Sequence, residues 1–309
     1  MLGDNLPSPR EVIAMYKSRN IGRMRLYDPN PSALEALRGS GIQVLVGVRN
    51  EDIEELGNSY AAAENWVVTN IRPYWPDVHF RYIAVGNEVI PGYYARFVLA
   101  AMQNLHNALG SGGLWHHIKV STSVPTSVMG VSYPPSAGSF SADSMLYMVP
   151  IAHYLNSIGA PLLANVYPYF SYMGDPRDIS LAYALFTSRT AVVRDGGLSY
   201  SNLFDAIVDA FHASLEKAGA PQVRVVVAET GWPSAGDGGV ASSENARVYN
   251  SNLVRHVLSY CGTPRRPGKP IETYLFAMFN ENRKLGAAVE QHWGLFYPSK
   301  MPVYPIDFM

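Results

Sequence analysis

The chain has 309 residues, 48% hydrophobic and 16% charged, and its 24 basic side chains against 25 acidic ones leave a formal charge of -1. A balance so close to neutral excludes a global field that would draw the chain to nucleic acid or an anionic membrane, and it suits an uncharged substrate. The single cysteine, Cys261, excludes an internal disulfide framework and a cysteine-built zinc site, and no apolar run reaches the roughly 18 residues of a spanning helix.

The N-terminal MLGDNLPSP lacks the charged and apolar regions of a signal peptide. Ser8 and Pro9 then open a helix through 11–20, and RMRLYD at 23–28 is a short strand. Pro31 opens a second helix over 32–41, closed by Gly39 and Gly41, ahead of a strand at 42–48. The unit repeats with a helix over 61–71, a strand at 80–88 and an amphipathic helix over 94–109. A strand at 119–124, a Pro, Ser and Gly-rich loop at 125–141 and a helix over 144–158 follow, and PLLANVYPYF at 161–170 is a strand ending in aromatics. The stretch 171–201 breaks the rhythm with short extended runs and an Asp-Gly-Gly turn, which predicts an inserted subdomain. A helix over 202–218, a strand at 223–229, a helix over 243–260 and a strand at 272–281 complete the alternation.

This unbroken βα alternation predicts an α/β fold in one domain spanning 1–309, of a length that suits a barrel. Seven strands can be counted, beginning at Arg23, Ile42, Phe80, Lys119, Pro161, Val223 and Glu272, where a closed barrel needs eight. Two of them, largely apolar as befits strands covered on both faces, stop at carboxylates: VRVVVAE at Glu229 and FRYIAVGNE at Glu88. A Glu at a strand end can simply cap the next helix. Two of them on one barrel rim also form the pair that cleavage of an acetal requires, an acid for the leaving oxygen and a carboxylate across the ring. The strand ends place Asp28, Tyr169 and Glu281 on the same rim. Tyr27, Tyr167 and Phe170 are either core rings or stacking surfaces for a sugar. The eight histidines show no ligand spacing, and the Gly-rich segments follow helices as C-caps, so neither a metal nor a phosphate cofactor is expected.

GNEV at 86–89, ETGWPSAG at 229–236 and FAMFNENRK at 276–284, with MRLYDPN, SYPPSAGSF, NVYPYF, NLFDAIVDA and HWGLFYP in order around them, resemble the plant endo-β-1,3-glucanase family, glycoside hydrolase family seventeen. The resemblance runs from about Asp4 to the C-terminus. It implies an eight-fold (β/α) TIM barrel with a small subdomain on the sixth unit and a retaining endo-hydrolase of β-1,3-glucan, working as a monomer without cofactor. It also implies an extracellular or vacuolar location. Relatives within the family cleave mixed-linkage β-1,3-1,4-glucan, but the 168–187 stretch looks more like the β-1,3-specific members. A catalytically inactive glucan-binding protein is the alternative of a different class, and retention of both carboxylates speaks against it. Carried over, the resemblance makes Glu229 the nucleophile and Glu88 the acid/base, sets Glu281 and Lys284 beside them with the lysine holding Glu281 ionised, and implies substrate contacts from Tyr27, Asn87, Asn165, Tyr167, Phe170 and Glu290. Family members begin with a strand of the type Gly-Val-Cys-Tyr-Gly ahead of the segment that here reads MLGDNLPSP, so the first strand is expected to be missing. Two open strand edges, at about 1 to 3 kcal/mol per buried unpaired group, would consume most of a domain's roughly 5 to 15 kcal/mol of stability. The chain is therefore expected to be weakly stable, insoluble or inactive.

Overall fold

Residues 2–308 are described by the computed structural model. Seven strands, β1 (Arg23–Leu26), β2 (Gln43–Val48), β3 (His79–Asn87), β4 (Lys119–Pro125), β5 (Leu162–Asn165), β6 (Val225–Thr230) and β7 (Thr273–Leu275), pair in sequence order, and every pairing is parallel. Valine and leucine make up half or more of β2, β5 and β6 because both faces are covered, and all six residues of β6 are buried. One face lines a small interior cluster of Leu45, Tyr82, Ala84, Leu163, Val226, Ala228 and Tyr274. The other packs against the connecting helices in the main core.

The helices are α1 (Pro9–Ser18), α2 (Pro31–Leu37), α3 (Ile53–Asn58), α4 (Tyr60–Asn70), α5 (Ala95–Gly110), α6 (Ala142–Ile158), α7 (Pro168–Gly174), α8 (Leu181–Ala184), α9 (Leu203–Lys217) and α10 (Ser243–Leu258). Their starts follow the capping chemistry of the sequence: Asn30, Ser59, Ser141, Ser180, Asn202 and Ser242 each accept a hydrogen bond from a first-turn amide. No helix among the described residues is long and apolar enough to cross a membrane.

Two expected strands are shorter than their apolar runs. The run at 161–170 leaves the sheet at Asn165, because Pro168 has no N–H to pair and instead opens α7, which carries Tyr169 and Phe170. The run at 272–281 leaves β7 after Leu275: Phe276 still donates to the Thr230 carbonyl of β6 at 2.7 Å, but beyond it Ala277 exchanges backbone bonds with Trp293 and Leu295 at 2.9 and 2.8 Å, and Asn280 donates to Phe296 at 3.0 Å. Glu281 therefore stands in a loop rather than at a strand end. Helix α3 follows the polar Asn50–Asp52 turn, where the sequence reading had no element. Between α7 and α9 lie α8 and a hairpin, Val193–Asp195 with Leu198–Tyr200, turned by Gly196 and Gly197.

The count of seven strands agrees with the sequence. Among the described residues, β1 and β7 are the two ends of the sheet and share no ladder bond, although their nearest Cα atoms stand within 8 Å. A cavity of about 1350 Å³ opens along this seam. Val12, Met24, Leu253 and Leu275 line its apolar part, and it is continuous with the carboxyl-end rim that carries Glu88 and Glu229.

Candidate active site

Alternation along β1 sends Met24 and Leu26 outward into the helix layer, which leaves Arg25 to face the barrel interior. Its side chain is only 5% exposed, and its two terminal nitrogens carry the hydrogen bonds while the buried Nε finds no partner. Arg25 Nη2 donates to Asn87 Oδ1 at 2.8 Å, and Nη1 donates to Asn165 Oδ1 and to the Ala228 carbonyl, each at 3.1 Å. Because those two bonds direct Nη1, its 2.9 Å approach to Glu229 Oε1 is a close ion-pair contact without hydrogen-bond alignment. The guanidinium also stacks over the Tyr27 ring at 4.5 Å.

Glu229 sits in β6 with 7% exposure, and its other oxygen accepts the Tyr167 hydroxyl at 2.7 Å. Burial, followed by the charge of Glu229, raises the Tyr167 hydroxyl far above the ordinary tyrosine range, so this group remains a donor. Glu88 follows β3 in the left-handed conformation, φ +56°, with Gly86 at φ +77° two residues before. Its carboxyl is open to the cleft but set deep among the surrounding walls. That burial, together with the nearby charge of Glu229, raises its pKa above the ordinary carboxyl range against the opposing effect of the Asn165 hydrogen bond. Asn165 is the hub: Nδ2 donates to Glu88 Oε1 at 2.7 Å and to Asn87 Oδ1 at 3.0 Å, while Oδ1 accepts from Ser123 at 2.8 Å and from Arg25. A continuous chain Glu88, Asn165, Arg25, Glu229 thus joins the two carboxylates.

The remaining expected site residues divide. Tyr27, Phe170, Glu281, Lys284 and Glu290 line the same cavity as Glu88 and Glu229. Lys284, however, pairs with Glu290 at 3.1 Å, and Glu281 Oε1 accepts the Leu2 amide at 2.6 Å, so the expected Lys284 to Glu281 ion pair is not formed. The reason is the loop: backbone contact between Lys284 N–H and the Glu281 carbonyl folds the two into one turn, and the lysine ammonium sits over the Phe276 ring at 4.3 Å, beside Glu290. Phe170 is 48% exposed and belongs to an aromatic wall with Tyr167, Phe276 and Trp293, whose ring centroids lie 5.1 to 6.4 Å apart. Arg25, Phe276 and Trp293 escaped the sequence reading. Arg25 had a signal, a charged residue between two apolar ones in a short buried strand, whereas nothing in the sequence sets Trp293 beside Tyr167. Among the described residues, no cluster of His, Cys, Asp and Glu suits a metal ion.

A carboxylate pair at the carboxyl ends of β3 and β6, in an open cleft walled by aromatic rings, defines a barrel of the glycoside hydrolase class. The family model described as glycosyl hydrolases family 17 matches residues 1–308, and the chain belongs to that family. It is 54% identical to the glucan endo-1,3-beta-glucosidase, basic isoform, of Phaseolus vulgaris, with 100% of this chain and 88% of the relative aligned. It is 51% identical to the basic vacuolar isoform GLB of Nicotiana tabacum, at 100% and 83%. Among solved structures it superposes with TM-score 0.95 and 50% identity on one of two plant beta-glucan endohydrolases with distinct substrate specificities, covering 100% of this chain and 98% of the other. The TM-score is 0.97, at 49% identity and coverages of 100% and 97%, for CJP38, a beta-1,3-glucanase and allergen of Cryptomeria japonica pollen.

Proposed function

We propose that this chain is a retaining endo-β-1,3-glucanase, one catalytic domain acting as a monomer on β-glucan. The observation that carries the reading is the linkage of two carboxylates in contrasting surroundings: Glu88 raised by burial, which suits a proton donor, and Glu229 set against Arg25 and the Tyr167 hydroxyl. In the first step the Glu88 proton passes to the glycosidic oxygen as its bond to the anomeric carbon breaks, and a Glu229 oxygen bonds to that carbon. In the second, water attacks the same carbon and gives its proton to Glu88, and Glu229 leaves with its electron pair. In this reading Tyr27, Phe170 and the Lys284 and Glu290 pair, which line the cleft, meet the flanking sugars, and Asn87, bonded to Arg25, meets the 2-hydroxyl. The relatives named as glucan endo-1,3-beta-glucosidases support the linkage, and the vacuolar name of the tobacco relative supports a vacuolar or secreted destination. Reducing-sugar release from laminarin, set beside mixed-linkage barley glucan, tests the reading. Faster release from laminarin, abolished by Glu229→Gln, is expected. Equal or faster release from the mixed-linkage polymer would transfer the enzyme to that specificity, and binding without release would make it a lectin-like protein.

A further inference from the structure

The turn that carries Glu88 leaves the sheet before it ends. The last β2 to β3 pair is Val48 with Val85, and the β3 to β4 register shifts between Ala84 and Asn87. From there the backbone of Asn87 has no ladder partner on the β2 side. Asn50, in the Asn50–Asp52 turn just beyond β2, supplies one with its side chain: Oδ1 accepts the Asn87 N–H at 2.8 Å, and Nδ2 donates to the Asn87 carbonyl at 3.1 Å. A planar carboxamide that makes both bonds to one residue supplies the acceptor and the donor that a neighbouring strand would offer. On the opposite side the Glu88 N–H donates to the Ser123 carbonyl at 2.9 Å. The Asn87–Glu88 peptide is thus gripped on one side by the Asn50 side chain and on the other by β4. The grip matters because Glu88 lies at φ +56°, a left-handed conformation that disfavours a residue other than glycine and relaxes unless its surroundings hold it.

We infer that Asn50 is a positioning residue for proton transfer: its carboxamide holds the Asn87 backbone so that Glu88 is aimed at the glycosidic oxygen. The inference rests on the reading of Glu88 as the acid/base. A misplacement of about 1 Å in a catalytic group is enough to lose on the order of 10²-fold in rate. The loss should fall on substrates whose leaving group must be protonated, and spare those whose leaving group departs as a stable anion.

The test compares kcat/KM on laminarin with kcat/KM on a 2,4-dinitrophenyl β-laminaribioside, for the unaltered protein, Asn50→Ala and Glu88→Ala. For Asn50→Ala we expect laminarin kcat/KM to fall roughly 10- to 100-fold, mainly in kcat, while the value for the activated glycoside changes by less than about threefold. That pattern is a milder copy of the one expected for Glu88→Ala. A merely structural role would lower both substrates together, and that result, or no loss on either, overturns the inference while leaving the Glu88 assignment standing if Glu88→Ala still discriminates. If Glu88→Ala does not discriminate, the assignment and the inference fall together. Asn50→Asp keeps the acceptor for the Asn87 N–H and should show the same discrimination in weaker form, which keeps the test decisive if the alanine variant does not fold.

Discussion

Arg25 shows how one side chain can set the electrostatics of a whole rim. With its own side chain 5% exposed and that of Glu229 9% exposed, the two charges have left water together, and removal of either leaves the other buried and uncompensated. Arg25→Met is therefore expected to destabilise the fold by about 3 to 5 kcal/mol, the size typical of a broken buried pair. The same substitution in a Glu229→Gln background should cost clearly less, because no carboxylate is then stranded. Urea midpoints of the four proteins of this cycle measure the coupling, and an equal cost in both backgrounds would show that Arg25 acts through Asn87, Asn165 and the Ala228 carbonyl alone. At this scale the sequence was legible where chemistry is local. Glu88 and Glu229 announce themselves by ending apolar strands, and Arg25 is detectable as the charge between Met24 and Leu26. The Lys284 to Glu290 pair was not legible, since only the folded loop decides which of two nearby carboxylates a lysine meets.

Among the elements, β2 to β6 were readable because each is rich in β-branched, aliphatic or aromatic residues and is bounded by turn residues. The misreadings at 161–170 and 272–281 share a cause: an apolar run continued past the point where its backbone changed partners. Helix α9 carries a second consequence of burial. It is buried along nearly its whole length and brings Asp209, fully enclosed, against the Gly262–Thr263 and Arg266–Pro267 hairpin, where its Oδ2 accepts the Arg265 N–H at 2.9 Å. Burial pushes the Asp209 carboxyl up to about 6, opposed by the nearby Thr263 hydroxyl, the Arg265 amide and the nearby Tyr200 hydroxyl, and reinforced by the nearby Asp205. Around it His256 pairs with Asp205 at 2.8 Å, and Arg265 and Arg266 pair with Glu216. The folded pKa lies above the unfolded value of 3.8, so the folded state holds the proton more tightly. This stabilising contribution is complete below about pH 4 and is lost as pH rises through about 6, a swing of about 3 kcal/mol. Asp209→Asn should then be more stable than the unaltered protein at pH 8, and the two should converge near pH 4. Urea midpoints across this range check the sign, and a variant that is less stable at pH 8 would contradict it.

For the molecule as a whole, the sheet's parallel order and its seam between β1 and β7 decide where it is firm. The amides of β3 and β4, each flanked by a hydrogen-bonded strand on both sides, should exchange hydrogen slowest, and those of β1 and β7, paired on one side only, fastest within the sheet. Exchange at β1 as slow as at β3 would show that the seam is closed in solution. The seam and the catalytic cleft are one continuous cavity, so Arg25, on the seam strand β1, ties the less protected edge to the rim where the chemistry is placed. The central claim concerns that rim: Glu229 attacks the anomeric carbon and Glu88 supplies and then removes a proton, so that two inversions restore the starting configuration. Proton NMR of the first sugar released from laminarin, recorded before mutarotation, tests it most directly. The β-anomer is the expected product, and an α-anomer appearing first would contradict the assignment of Glu229 as nucleophile.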